Sequence, residues 1–405
     1  MLTPGNDRTA LWTSAERYLG AGTRNYSRYS AEMPVSADYH PQGSAPGFQL
    51  PTFWVDFVHG EYRRTSASSP LHDIYSRNDR LLLPVHPDTL ALPHLPGRDL
   101  LLTMAAGPML DVMPLANART VLVLGADGVP TAPHFLKLHF PQRISRFQRT
   151  LNAPDLGHEL WTTTQLHTAG LPVLRDLGGG LFGSDPDTAW GYLVRDSLVR
   201  DGHDFDYTVP LFALYGNDIR SLGRQPLLHR LVIRAGVEPA VFLAEHIIEP
   251  MIAFWVRAVF STGCLPELHG QNTLLSFTRD GRHSRIAYRD GGIYTLAPLR
   301  HRFEHSADLP PMDVVPRDVA VDCAHLMSLV YDSFMGHHAL TRLNTLATDL
   351  FGFDPDLLPS LARKTFADND GTQLALPHTV YYYDDTCPPD QGWRLADTGQ
   401  TPTWR

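Results

Sequence analysis

The hydrophobic pattern of this chain turns from strand-like to helix-like near Pro210, and that change constrains the fold more than any single motif. From Leu81 to Leu151 the apolar residues come in short runs separated by turns. Leu81 to Val85, Thr120 to Leu124 and His134 to Phe140 read as strands, the last two joined as a hairpin by Gly125-Ala126-Asp127-Gly128. Trp190 to Arg195 is a further strand. Beyond Pro210 helical signals dominate. Pro239 to Phe260 is apolar around most of its circumference, as in a buried helix, with Pro250 set to kink or split it. Pro316 to Met335 and Asp356 to Phe366 are further helices, and Leu274 to Phe277 pairs with Ile286 to Arg289 around Arg279-Asp280-Gly281. Before Leu81, Thr9 to Tyr18 reads as a helix and Gly20 to Pro51 as a meandering connection. The prediction is an α+β chain: an N-terminal segment 1–80, a β-rich part 81–205 and a mainly helical part 206–405.

At 405 residues and 43% hydrophobic, the chain has enough apolar material for a sizeable core in more than one subdomain. Its formal net charge is -9 with no run of Lys and Arg, which argues against nucleic acid or an anionic membrane surface as a partner. Met251 to Phe260, the most apolar stretch, is short and carries Arg257, too little to span a bilayer. The first thirty residues show no secretory pattern, and three scattered cysteines fit neither a disulfide framework nor a zinc spacing. A reduced cytoplasm is the expected setting. There are twenty histidines but no HExxH, and the His301–His305 spacing lacks that motif's glutamate. No GxSxG elbow is present. Gly178-Gly179-Gly180 with Gly183 lacks the Lys-Ser/Thr of a phosphate loop and reads as a flexible connection.

Two polar constellations remain. Glu267-Leu268-His269-Gly270-Gln271-Asn272 and Arg289-Asp290-Gly291-Gly292 flank one hairpin. Asn272 and Asp290 are equally far from Gly281, so antiparallel pairing sets them side by side. Carboxylates, an amide and a histidine at one hairpin end make a hard-oxygen site suited to Mg²⁺ that keeps waters and bridges nucleotide phosphates. The plainer reading takes Asn272 and Asp290 as turn formers and Glu267–Arg289 as an ordinary ion pair. The second constellation is cationic. Asn117-Ala118-Arg119-Thr120 opens one strand, and on the next Lys137 and His139 share a face by the period of two. Arg146 and Arg149 lie three apart in Ser145-Arg146-Phe147-Gln148-Arg149-Thr150, one face if that segment is helical. Arg119, Lys137 and Arg149 are placed to converge on a polyphosphate, or else form a solvated basic surface.

In order, these pieces resemble the aerobactin-synthetase family, the siderophore synthetases that work independently of nonribosomal peptide assembly lines. Leu82-Leu83-Pro84-Val85-His86-Pro87 is similar to that family's PVHPWQ segment, and Ala116-Asn117-Ala118-Arg119-Thr120 to its SSxRT motif. His134 to Leu151 is similar to HxKLxxxxRIxxxxR, Glu267 to Asn272 to ExHxQN, and Arg289 to Gly292 to RDxGG. The resemblance implies a hand-like α+β fold with a reduced thumb, β-rich fingers and a largely helical palm whose hairpin carries the metal site. It places ATP between fingers and palm, and a homodimer is the common assembly in the family. It implies adenylation of a small carboxylic acid with release of pyrophosphate, then attack by an amine or alcohol to give an amide or ester and AMP. By position Asn117, Arg119, Thr120, Lys137, Arg149 and His269 would hold the ATP phosphates. Glu267 and Asp290 would hold Mg²⁺, with Asn272 beside them.

The departures narrow the substrate. The N-terminal part is shorter than the family's, and HPxHPxxK has no counterpart before Leu81. Asp88 stands where the family has Trp, and Asn117 where it has Ser. A tricarboxylate needs several cationic partners. With the stretch around Arg63 and Arg64, His86 and the palm left to build the pocket, the expected acid carries one or two carboxylates, amino acids included. A phosphotransferase and a non-catalytic nucleotide-binding relative are the competing readings. The presence of Arg119, Lys137, His269 and Asp290 weighs against the latter.

Overall fold

The computed structural model describes residues 8–19, 33–43, 45–144, 146–199, 204–221, 223–295, 297–305, 322–388 and 392–405. Ser145, residues 20–32 of the expected N-terminal connection and residues 316–321 of the expected helix lie outside them. The chain divides into two compact units: Tyr29–Thr164 with Leu174–Val199, and Met1–Arg28, Gln165–Val173 and Arg200–Arg405.

The first unit is built on a seven-stranded antiparallel sheet. Its order is Phe48–Leu50, Leu110–Pro114, Thr120–Ala126, Val129–Leu138, Trp190–Asp196, Asp176–Phe182 and Gly60–Arg64. Part of the expected N-terminal segment is thus woven into the β-rich unit as its two edge strands. Trp190–Asp196 is buried along its whole length, so Trp190 to Val194 reads as a continuous apolar run and not as an alternation. The predicted hairpin turn is formed by Asp127 and Gly128, both at positive φ (49° and 76°), the geometry whose twist matches the flanking strands. A four-stranded sheet, Ser76–Arg77, Arg80–Pro84, Thr52–Asp56 and Ala105–Ala106, shares the same core through Val55, Leu81, Leu82 and Leu83.

Gly178, Gly179 and Gly180 are not a loop but the middle of the buried strand Asp176–Phe182. Tyrosine rings lie where side chains on Gly178 and Gly180 would be. A Cβ on Gly178 would stand 2.8 Å from the Tyr62 hydroxyl, and one on Gly180 2.5 Å from Tyr192 Cε1. The glycines supply space for an aromatic cluster in which Tyr75 and Tyr192 lie 5.4 Å apart between ring centroids.

The second unit is mostly helical around a three-stranded sheet, Tyr207–Pro210, Thr273–Phe277 and Ser284–Tyr288, against which Arg8–Tyr18 packs. Pro239–Thr262 is one helical run, neither broken nor split. Pro250 has no N–H to give the turn before it, and residues Ala244–Ile248 widen into a π-helix that takes up the misfit. By length and composition this run could cross a membrane, yet 61% of its most apolar stretch is buried inside the unit, as in a core helix. A second π-helical stretch, Leu329–Leu340, lies between Cys323–Ser328 and Thr341–Phe351. It is clamped from outside: Tyr331 donates to the Trp404 carbonyl at 3.1 Å, and Arg405 holds the buried Asp332 at 2.8 and 2.9 Å.

The glycine strand makes a direct prediction. In Gly180→Ala the methyl meets Tyr192, which is fully buried and has no room to retreat. Overpacking of this kind costs about 1–3 kcal/mol, so the thermal midpoint should fall by several degrees. An unchanged midpoint in calorimetry would show that the aromatic cluster is loosely packed.

Candidate functional site

The cationic constellation of the β-rich unit is assembled by strand register. Thr120 pairs directly with Lys137, and the Leu138 amide donates to the Arg119 carbonyl at 2.9 Å. The turn before them is closed by Asn117, whose Oδ1 accepts from the Thr120 amide (2.8 Å) while its Nδ2 donates to Thr120 Oγ1 (3.0 Å). That leaves Ala118 at φ 59°. Arg146 and Arg149 do not share a helix. Phe140–Ile144 and Phe147–Arg149 form a hairpin, with Phe140 opposite Arg149. Arg119 is tied to that hairpin by donating to the carbonyls of Arg149 and Thr150 at 3.2 and 3.1 Å. Arg119 and the Arg149 backbone are therefore in contact, and Lys137 stands opposite the neighbouring Thr120.

This basic strand is not a solvated face. Lys137 is buried, and its Nζ donates to both carboxylate oxygens of Glu159 at 2.8 and 2.7 Å. Glu159 rides on the helix Ala153–Thr168, capped by Asn152, whose Oδ1 accepts from the Asp155 amide at 2.8 Å. Arg195 lies 3.8 Å from Glu159 and is itself locked to Asp176, its register partner, through Nε–Oδ1 at 2.5 Å. Burial pushes Asp176 up to about 6 against the pull of Arg195. His139 accepts from the Leu151 amide at Nδ1 (3.1 Å), so its ring proton sits on Nε2. Burial, with the charge of Arg119, holds it down to about 4.

His86, expected as part of an acid pocket, is fully enclosed by the rings of Tyr39, Phe48 and Phe140 and has no face to offer a substrate. Arg63 donates to the Ala153 carbonyl (2.9 Å) and pairs with Glu61, while Arg64 is exposed.

In the helical unit, Glu267 to Asn272 is a tight turn in which the His269 carbonyl accepts from the amides of Asn272 and Thr273 at 3.1 and 3.0 Å. The Gln271 amide donates to His269 Nδ1 at 3.2 Å, which puts the ring proton on Nε2, 3.7 Å from Glu267 Oε2. Gly270 is required because the Tyr215 hydroxyl stands where its Cβ would be. The hairpin register differs from expectation by one residue. Thr273 pairs with Tyr288 and the Arg289 amide donates to the Asn272 carbonyl (2.9 Å), so Asn272 faces Arg289 and not Asp290. The reason is the even loop Arg279–Arg282 inside the Thr278–His283 closure, which centres the turn between residues. Arg289 is paired with buried Glu16, not with Glu267, and also donates from Nε to the Gln271 carbonyl at 2.8 Å.

Asp290 then sits at φ 125°, a region that side-chain-bearing residues avoid. Such backbone costs of order 1–3 kcal/mol and persists only where its surroundings impose it. Here the anchors on Arg289 impose it. Around the turn stand residues the sequence did not single out. Phe334 meets His269 edge-on at 6.0 Å, and the hydroxyls of Tyr294 and Tyr383 are 2.6 Å apart. Burial pushes Tyr294 up, and the charge of Glu267 adds to it. His338 is driven down to about 2, first by burial and then by His269. The π-helical stretch carries both Phe334 and His338.

Among the described residues no group of three acids, histidines or cysteines gathers as a metal cluster. The donors present are two carboxylates, Glu267 and Asp290, and the carboxamide of Asn272. By donor chemistry alone these oxygens are of the kind Mg²⁺ takes with waters and substrate phosphates, and the described residues do not gather them into a cluster.

No family model and no curated protein sequence matches the chain. Solved structures do. ATP-bound aerobactin synthetase IucA from a hypervirulent pathotype of Klebsiella pneumoniae aligns with TM-score 0.69 at 14% identity, covering 97% of this chain and 77% of that one. Petrobactin biosynthesis protein AsbB from Bacillus anthracis str. Sterne gives 0.67 at 15%, covering 92% and 71%. Aerobactin synthetase IucC from the same Klebsiella pathotype gives 0.62 at 17%, covering 92% and 72%. The fold is that of the siderophore synthetases, as the motifs implied.

The buried imidazoles make stability depend on pH in a definite direction. His139 and His338 stay neutral in the fold to about 4 and about 2, whereas an unfolded imidazole takes its proton near 6.5. Below about 6.5 the unfolded state binds more protons, so this stability is present above that pH and drains as pH falls towards 4, at up to about 1.4 kcal/mol per unit and ring. The unfolding midpoint should drop between pH 7 and 5, and His139→Gln should flatten the drop. A profile unchanged by that substitution would mean that His139 takes its proton in the fold at the same pH as in the unfolded chain.

Proposed function

We propose that this chain is an ATP-dependent ligase that adenylates a small carboxylic acid and condenses it with an amine or a hydroxyl, in siderophore or related natural-product biosynthesis. The observation that carries the reading is the fold shared over 97% of the chain with a synthetase solved with ATP bound, together with the family's motifs in their order. In this reading the β-rich unit corresponds to the fingers and the helical unit to the palm. A cytoplasmic setting and a homodimer go with it.

The acid's carboxylate oxygen attacks the α-phosphorus of ATP and pyrophosphate leaves. The amine or hydroxyl then attacks the acyl carbon and AMP leaves. Charge grows on the pyrophosphate as the bond breaks, and fixed cations and donors stabilise it without reorganising. Arg119, Lys137, Arg149, Asn117 and Thr120 are assigned to the phosphates, with His269 donating from Nε2. Glu267, Asn272 and Asp290 would hold Mg²⁺, which when bound neutralises phosphate charge. The acid is one with one or two carboxylates, since His86 is enclosed and Arg63 already serves a backbone carbonyl and Glu61.

The buried Lys137–Glu159 pair gives the phosphotransferase reading some weight, because protein kinases also set a strand lysine against a helix glutamate. The products separate the two. A ligase forms AMP and pyrophosphate, a phosphotransferase ADP. Acid-dependent pyrophosphate release in a screen of small carboxylic acids is expected, and ADP as the nucleotide product would overturn the ligase.

Two substitutions test the assignments. Asp290→Gly should abolish turnover while leaving the thermal midpoint equal or higher, because glycine accepts φ 125° without strain. Full activity in that variant would remove Asp290 from the mechanism. Arg119→Lys should lose on the order of 10²–10³-fold in kcat, since an ammonium cannot reproduce a two-pronged contact. Wild-type kinetics there would leave Arg119 a purely structural tie.

A further inference from the structure

The sequence singled out Lys137, but the structure shows that it does not stand alone. Its side chain is only 4% exposed and that of Glu159 6%. A lysine carries its charge on four rotatable carbons, so a buried ammonium is fixed only by what it is bonded to. Here both Glu159 oxygens receive it, at 2.8 and 2.7 Å. Glu159 would otherwise swing on its own stem, and Arg195 stands 3.8 Å from it on the other side. Arg195 is held in turn by two contacts to Asp176, at 2.5 and 3.2 Å, on the strand next to its own. Asp176, Arg195, Glu159 and Lys137 therefore alternate in sign along a buried row whose charges cancel. Two of its members, Lys137 and Arg195, sit on paired neighbouring strands, which makes the row a rigid frame.

We infer that Glu159 is a positioning residue: it fixes the Lys137 ammonium in place to receive the polyphosphate of ATP, with Arg195 and Asp176 bracing it from behind. This rests on the ATP-binding reading of the preceding section.

The sign of one measurement separates positioning from mere neutralisation. Glu159→Gln keeps the shape and removes one negative charge near the phosphates. If Glu159 only neutralises Lys137, the variant presents more positive charge and binds ATP more tightly. If it positions Lys137, the variant binds ATP more weakly, on the order of 10–10²-fold, the worth of one hydrogen bond to a charged group. Adenosine, which has no phosphates, should bind both proteins equally, whereas a general structural lesion weakens both ligands.

The experiment is isothermal titration of the full chain with ATP and with adenosine, alongside thermal midpoints. Glu159→Asp is the second variant: it keeps the row neutral, so it folds where the amide does not, and positioning requires the same selective loss of ATP affinity. Equal or tighter ATP binding by either folded variant overturns the inference while leaving the ATP reading intact. Parallel loss of adenosine also overturns it. A wild-type chain that binds no ATP overturns both together.

Discussion

A charged ammonium out of water must find a carboxylate, and much of the β-rich unit follows from that requirement. Lys137 sits in the middle of a sheet that is buried where it matters, so it cannot point to solvent as lysines usually do. Meeting it takes a helix, and that helix has to present Glu159 at one register and no other. The helix is started by Asn152, and its next turn buries Leu156 and Leu160 against Leu181 and Leu193 of the sheet. A buried pair of this kind contributes little net stability, because desolvation offsets the attraction, but losing either member is costly. Its value is in specifying geometry, and the same logic repeats in the helical unit where Arg289 meets Glu16.

Both constellations place strain or buried charge on short, well-anchored pieces of backbone. Asp290 is held at an unfavourable φ by a neighbour with three attachments: its amide, its Nε and its salt bridge. Arg119 is likewise fastened through two carbonyls before any ligand arrives. Groups fixed in this way lose little freedom on binding, which is how an enzyme keeps its electrostatics ready in advance.

The strands were legible because buried antiparallel strands with tight turns leave runs and punctuation: Arg80–Pro84, Trp190–Asp196 and the Asp127-Gly128 turn fall where the sequence puts them. The helix Ala153–Thr168 was not legible. It holds Pro154, Gly157 and three consecutive threonines, all poor helix formers, and only the Asn152–Asp155 cap marks its start. Glu159 was missed with it. Gly178 to Gly180 misled for a related reason. Glycine usually signals a turn, and here it signals that tyrosines from adjacent strands need the space. The Asn272–Asp290 register failed by one because a hairpin's centre depends on whether its loop is odd or even, which the flanking residues do not state. The Lys137–His139 and Glu267–Asn272 segments stood out through residue type and spacing together with the family resemblance. Their neighbours Glu159, Phe334 and His338, and the Glu16 that pairs with Arg289, come from distant stretches that no local pattern connects.

The π-helical stretch before Pro250 has a consequence for how this chain tolerates gaps. A π turn holds one residue more than the α turn it replaces, so everything after Ile248 is out of phase with everything before Ala244 by about one residue step, or about 100° of rotation. Deleting a single residue within 244–248 would restore regular α-helical winding and leave the following segment facing as it does now, because the widened turn already absorbs the extra residue. Trp255 and Met251, now wholly inside, would keep their packing partners. Regular winding at the present length would instead rotate that face away by one step. The widened turn is what lets one more residue sit in the sequence without re-aiming the buried face that follows it.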